Sequence, residues 1–183
     1  MRLKKGEIDM AYVGITEKAK IVRDKLKKEL GYTNRQVSVR GRYCGYSAAL
    51  DIVIKDFTAD IRKIRSIAYE MEDIDYDEAS GEILSGGNTY VHVEYDYKLT
   101  SEKAKELIPL AEKIFNKMTN NSALVAENGN KRLVYFGTDS ALWFIDDDTM
   151  HQEHINAYNS PEGLARAIVG MVYERRLMDG DFF

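Results

Sequence analysis

One cysteine, Cys44, and two prolines are all that 183 residues contain of either type. A single thiol rules out an internal disulfide and fits a reducing compartment. So few prolines, beside 44% apolar residues, rule out a proline-rich disordered chain. No apolar run approaches the roughly 20 residues of a membrane-spanning helix. No charged-apolar-small secretory pattern opens the sequence, so the expectation is a cytoplasmic protein with no membrane partner. Phosphate-loop (Gly-x-x-x-x-Gly-Lys), nucleophile-elbow (Gly-x-Ser-x-Gly) and His-Glu-x-x-His patterns are missing. Lysine and arginine are missing too, altogether, between Arg65 and Lys98.

That last gap divides the charge. Residues 1–66 hold 16 Lys and Arg against 8 Asp and Glu, a balance of +8. Residues 67–183 hold 10 against 22, a balance of −12. The basic part can steer phosphate and the acidic part a basic protein surface, or both can be solvated helix faces that pair with each other.

The most informative stretch is Gln36–Lys55. Val37 and Val39 alternate with Ser38 and Arg40, and Ala48, Leu50, Ile52 and Ile54 alternate with Ala49, Asp51, Val53 and Lys55. A period of two gives each run one apolar face. Gly45, free to take positive φ, sits between them, so a hairpin is expected. Arg40, Arg42 and Asp51 fall on its polar face.

Residues 1–12 read as a loose lead-in. A basic amphipathic helix follows, capped at Thr16, with Ala19, Ile21, Val22, Leu26 and Leu30 inward, Lys18 among its outward cations and Gly31 as its stop. After the hairpin Thr58 caps a second helix, with Ile61, Ile64, Ile67 and Met71 at helical spacing. It ends in Glu70, Glu72, Asp73, Asp75, Asp77 and Glu78. Carboxylates at a helix C-terminus oppose its dipole, so either a basic partner surface, intramolecular pairing or chance keeps them there. Residues 74–84 and Thr89–Tyr97 are expected as a second hairpin around Ser85-Gly86-Gly87-Asn88. Ser101 caps a third helix that Pro109 should kink.

The expected fold class is α+β: an αββαββα arrangement with a four-stranded antiparallel sheet and helices on one face, over residues 13–119. Residues 120–183 add a βββα extension. In it Ala123–Glu127, Arg132–Phe136 and Ala141–Ile145 form a meander through an Asn128-Gly129-Asn130 turn. A polar loop containing Asp146, Asp147, Asp148, His151, Glu153 and His154 comes next, and then a helix capped at Ser160.

Two constellations are candidates for chemistry. His92 and Glu94 lie two apart on one strand face, and Arg40 and Arg42 face the same way if that strand neighbours the first hairpin. An imidazole, a carboxylate and guanidiniums suffice for metal-independent phosphodiester cleavage: proton transfer at the catalytic pair, and charge stabilisation at phosphate by the arginines. Ordinary cross-strand charge pairing is the competing reading. Tyr43 and Tyr46 join Arg40 and Arg42 as nucleic-acid-binding candidates through stacking. The Asp146–His154 cluster matches no specific metal spacing, and neither a metal nor a cofactor is expected. Cys44 beside two arginines has no identifiable base.

A basic helix leading into Val37-Ser38-Val39-Arg40, Gly45 and Leu50-Asp51-Ile52-Val53, then a helix, then GGNTYVHVEYDY and another helix, resembles the large polyvalent protein-associated domains. The likeness covers about residues 11–118. It departs at Lys55-Asp56-Phe57, where an Asp-Gly-Pro-like turn is the pattern. Such domains ride on phages, plasmids and conjugative elements. The resemblance implies an accessory or anti-defence factor of a mobile genetic element, in its sharpest form an anti-CRISPR protein. Its expected partner is an RNA-guided nuclease of a type II CRISPR system, or that nuclease's guide RNA. Glu70, Glu72, Asp73, Asp75, Asp77 and Glu78 are then candidates for contacting the nuclease's positive channel. A nucleic-acid-binding accessory module of a phage or plasmid, without catalysis, is the alternative.

Overall fold

The alternating runs Val37–Cys44 (β1) and Ser47–Ile54 (β2) form the expected antiparallel hairpin, Val37 opposite Ile54 and Cys44 opposite Ser47, in a computed structural model that describes residues 13–146 and 151–178. The turn is Gly45-Tyr46, with φ 60° at Gly45. A two-residue type II′ turn takes glycine at that first central position. Helix α1 (Ile15–Leu30) lays Ile15, Ala19, Val22 and Leu26 over the hairpin's apolar face. It stops at Gly31, φ 72°, whose N–H donates to the Lys27 carbonyl while Tyr32 N–H reaches Leu26. These are the paired closing bonds of a left-handed C-terminal cap. Gly14 rather than Thr16 holds the N-cap position.

Helix α2 (Ile61–Ala68) is capped by Asp60, which accepts from the N–H groups of Arg62 and Lys63, and not by Thr58. Thr58 is engaged earlier, its N–H donating to Asp56. A 3-10 turn, Tyr69–Met71, follows.

The next strand, β3 (Thr89–Tyr95), departs from expectation. It pairs with β2 in parallel, Ala48 beside Thr89 and Ile54 beside Tyr95, so β2-α2-β3 is a crossover unit and the first sheet has three strands, ordered β1-β2-β3. Residues 74–84 do not join it. They form a small loop closed on itself, with Asp77 N–H bonded to the Glu82 carbonyl and Leu84 N–H to that of Asp75. Asn88, buried, secures this loop: its side chain accepts from Asp75 N–H and donates to the Leu84 carbonyl and the Tyr90 hydroxyl. The physical reason lies in the segment's composition. From Asp77 to Glu82 the acidic residues, Ala79, Ser80 and Gly81 supply no alternating apolar face to hold a strand on the sheet.

Both helices of this unit lie on one face, as expected, closing a core of Leu50, Ile52, Ile54, Ile61, Ile64, Val91 and Val93. Gly41 permits the fit of α1: a Cβ there would lie 2.8 Å from the Ile15 carbonyl oxygen and from its Cγ1. Lys18 is not outward. It is 2% exposed, its Nζ donating to Thr89 Oγ1 at 2.9 Å and to the Met71 carbonyl at 3.4 Å, with Asp73 at 3.9 Å.

The chain divides into two compact units between Tyr95 and Asp96, ahead of the third helix, whereas the sequence pattern places the boundary after that helix, at 119. Helix α3 (Tyr97–Lys117) starts at once after β3 because Asp96 caps it, accepting from Lys98 and Leu99 N–H. It runs past Ser101 and continues through Pro109. Its inward residues Ala104, Leu107, Ala111 and Ile114 belong to a second core with α4 (Pro161–Val169). Between these helices in sequence lies an antiparallel four-stranded meander, β4 (Ser122–Asn128), β5 (Lys131–Phe136), β6 (Ala141–Asp146) and β7 (His151–Asn156). The four-stranded antiparallel sheet of this α+β protein is therefore here, one strand longer than the expected extension. The added strand is β7, where a loop was expected. Ser160 caps α4 as expected, its hydroxyl oxygen accepting Gly163 N–H, and α4 passes into a π-helical turn, Gly170–Glu174.

Candidate functional site

Register brings the sequence candidates on the first sheet together. Residues directly opposite in neighbouring strands share a face. On the face away from the helices three rows result: Ser38, Val53 and Glu94; Arg40, Asp51 and His92; Arg42, Ala49 and Tyr90. With strands about 4.8 Å apart, Arg40 and His92 flank Asp51 across roughly 10 Å. His92 and Glu94 are about 6.6 Å apart along β3, twice the rise per residue.

The members of this face differ in how they are held. Arg42 is committed to Asp51: Nε donates to Oδ2 at 2.6 Å and Nη2 to Oδ1 at 3.4 Å. That hydrogen bond, with the attraction of the carboxylate, raises the guanidinium's pKa above its already high value. Arg40, His92 and Glu94 are exposed, and their side chains have no hydrogen-bond or ion-pair partner among the described residues. Tyr90 is half-buried at the end of the third row, its hydroxyl accepting from Asn88. The face thus presents one unengaged guanidinium, one imidazole and one carboxylate, beside a neutralised Arg42–Asp51 pair. Such groups can meet a phosphate and exchange protons with it.

The tyrosines named with the arginines do not share this face. Tyr43 lies opposite Ala48 on the helix-covered side, at the strand end, 73% exposed. Tyr46 occupies the turn and is 95% exposed. Cys44 is exposed on the same face as Arg42.

The acidic run is divided as well. Glu70 accepts from Lys25, Glu72 accepts Val91 N–H at 3.3 Å, and Asp73 bridges Thr89 through its backbone while facing Lys18. Asp77 closes its own turn, accepting from Ala79 N–H and from Ser80 N–H and hydroxyl, which holds its carboxyl below the usual carboxylate range. Intramolecular pairing accounts for these four. Asp75 and Glu78, with Glu82, are exposed and their side chains have no partner among the described residues.

In the second unit Glu153 and His154 are successive on β7 and so point to opposite faces. Glu153 accepts from Arg175 at 2.6 Å, and His154 stacks on Trp143, with ring centroids 4.7 Å apart and planes at 16°. Asp147 and Asp148 lie outside the described residues, as does the side chain of His151. Among the described residues no group of three or more His, Cys, Asp or Glu side chains could hold a metal ion.

Comparison with protein-family models, curated proteins and solved structures yields no match to this chain. The site therefore rests on its own geometry. Among the described residues no helix is long and apolar enough to cross a membrane.

Sequence reasoning missed two features. Buried Lys18 carries no signal in an otherwise basic helix, although its i, i+4 relation to Val22 and Leu26 puts it next to the apolar stripe. Trp143, with Phe136 and Asp139 around it, is assembled from two strands and a turn, and only its being the sole tryptophan marks it in the sequence.

Proposed function

We propose that the exposed face of the first sheet is an RNA contact surface, and that the protein is an anti-defence factor of a mobile genetic element acting on an RNA-guided nuclease through its guide RNA. The observation that supports this reading above others is the row Arg40–Asp51–His92, with Glu94 one row away and three of the four groups unengaged. Arg40 meets phosphate. Arg42 assists only where phosphate displaces Asp51. In the cleaving version the 2′-hydroxyl attacks phosphorus and the P–O5′ bond breaks, leaving a 2′,3′-cyclic phosphate and a 5′-hydroxyl. Glu94 or His92 takes the 2′ proton, and the other supplies one to the departing 5′ oxygen.

The test is incubation of the purified protein with guide RNA, alone and with its nuclease, followed on a denaturing gel and by binding at several salt concentrations. Binding should weaken with salt, and Arg40→Ala should reduce the slope by about 0.7, the value of one single-stranded phosphate contact. Shortened RNA that disappears with His92→Ala supports catalysis; equal cutting by that variant removes the assignment. RNA binding without any effect on the nuclease would favour the accessory module instead.

A second reading has its own support in the unpartnered carboxylates of Asp75, Glu78 and Glu82. In it the protein blocks a nuclease without chemistry, by presenting this loop to a basic channel. Neutralising all three should then weaken binding to the nuclease and leave RNA untouched.

A further inference from the structure

Trp143 lies on the face of the second sheet opposite to Leu142 and Phe144, in the row Val134–Trp143–His154. Its ring is fixed from two sides. His154 stacks on it, and its indole N–H donates to Asp139 Oδ2 at 3.2 Å. Phe136 stands almost perpendicular to it, centroids 6.3 Å apart and planes at 88°, so the two rings make a corner. A pocket of about 230 Å³ is lined by Phe136, Thr138, Asp139, Trp143, Ile145 and Gln152. Its lining has two aromatic rings, one carboxylate and no basic side chain.

We propose that this pocket binds an organic cation of the alkylammonium class, the chemistry shared by choline and by a methylated lysine side chain. An aromatic ring attracts a cation placed over its face, tryptophan most strongly. A carboxylate at the rim adds attraction of the same sign. A bulky ammonium without N–H donors loses little on leaving water and fills a corner between rings, whereas an anion would meet Asp139. This inference is independent of the reading of the first sheet.

The test uses the intact protein, because Trp143 is its only tryptophan and reports from inside the site. Tetramethylammonium, choline and free trimethyl-lysine are titrated separately against indole fluorescence, with sodium chloride at equal ionic strength as control. A saturable change with the ammonium ions and none with sodium chloride is expected, and the order of choline and trimethyl-lysine tells which source fits better. Phe136→Leu and Asp139→Asn should each weaken the affinity about two- to fivefold, the factor that 0.5–1 kcal/mol represents, with unchanged far-UV circular dichroism. The decisive arm is 3,3-dimethylbutanol, the uncharged isostere of choline. Equal binding of that alcohol, an unsaturable response, or saturation by adenosine but not by tetramethylammonium overturns the proposal.

Discussion

Lys18 sets the clearest case at the scale of one residue. An ammonium 2% exposed requires partners, and it has a hydroxyl, a carbonyl and a carboxylate within 4 Å, one of them from β3 and two from the turn after α2. Lys18→Met keeps the aliphatic stem and leaves Thr89 and Met71 without their donor. Removing one partner of a buried polar contact costs about 1–3 kcal/mol, so the urea midpoint should fall accordingly. Asp73→Asn should cost less, since that carboxylate is 43% exposed. Equal stability of Lys18→Met and the parent would mean the ammonium is satisfied by water instead. Two carboxylates give a pH signature. Thr58 N–H and hydroxyl hold Asp56 below its usual range, and Ser80 and Ala79 do so for Asp77. The unfolded chain titrates Asp near 3.9, so in this range it binds more protons than the folded one. The stabilisation is therefore complete above about pH 4 and is lost as pH falls through the lower folded values. Asp77→Asn should show a shallower loss of urea midpoint than the parent as pH falls below about 4. Superimposable curves would remove Asp77 from the account.

At the scale of elements, packing of α1 on β1 turns on Gly41. Since the obstructing atom is the Ile15 carbonyl oxygen, no rotamer change can make room for a methyl group, and the start of α1 has to move. Gly41→Ala should cost about 1–3 kcal/mol, the range for overpacking, while Cys44→Ala, exposed three residues on, should cost almost nothing; both are read from chemical denaturation. Which elements the sequence disclosed follows from the same physics. Alternation in Val37–Ile54 and helical spacing in Ile61–Met71 report burial directly, so the hairpin, α1 and α2 were legible. So was the wet face, because Arg40, His92 and Glu94 occupy the even positions of alternating strands. Alternation says nothing of direction, however. Thr89–Tyr95 has the same pattern whether it returns antiparallel beside 74–84 or crosses over beside β2, and α2 between the two strands was the sign of a crossover. β7 was illegible for another reason: its outward row is Gln152, His154 and Asn156, and its inward Glu153 is satisfied by Arg175, so a paired strand reads as a polar loop.

For the whole molecule, the division between Tyr95 and Asp96 has a measurable consequence. Leu50, Ile52, Ile64 and Val93 enclose one core, and Leu107, Leu133, Leu142, Leu164 and Ile168 another, each built from helices and a sheet of its own unit. A unit with its own apolar core has the means to unfold as a unit. Trp143 reports on the second unit alone, whereas far-UV circular dichroism sees helices of both. In urea the two signals should then give transitions that do not coincide, the mark of more than one cooperative step. Lys18→Met, which weakens only the first core, should pull the circular-dichroism transition to lower urea and leave the Trp143 midpoint in place. If instead both midpoints fall together, the two cores stand or fall as a single cooperative body, and perturbations at the exposed face of the first sheet would have to be read through the stability of the whole chain.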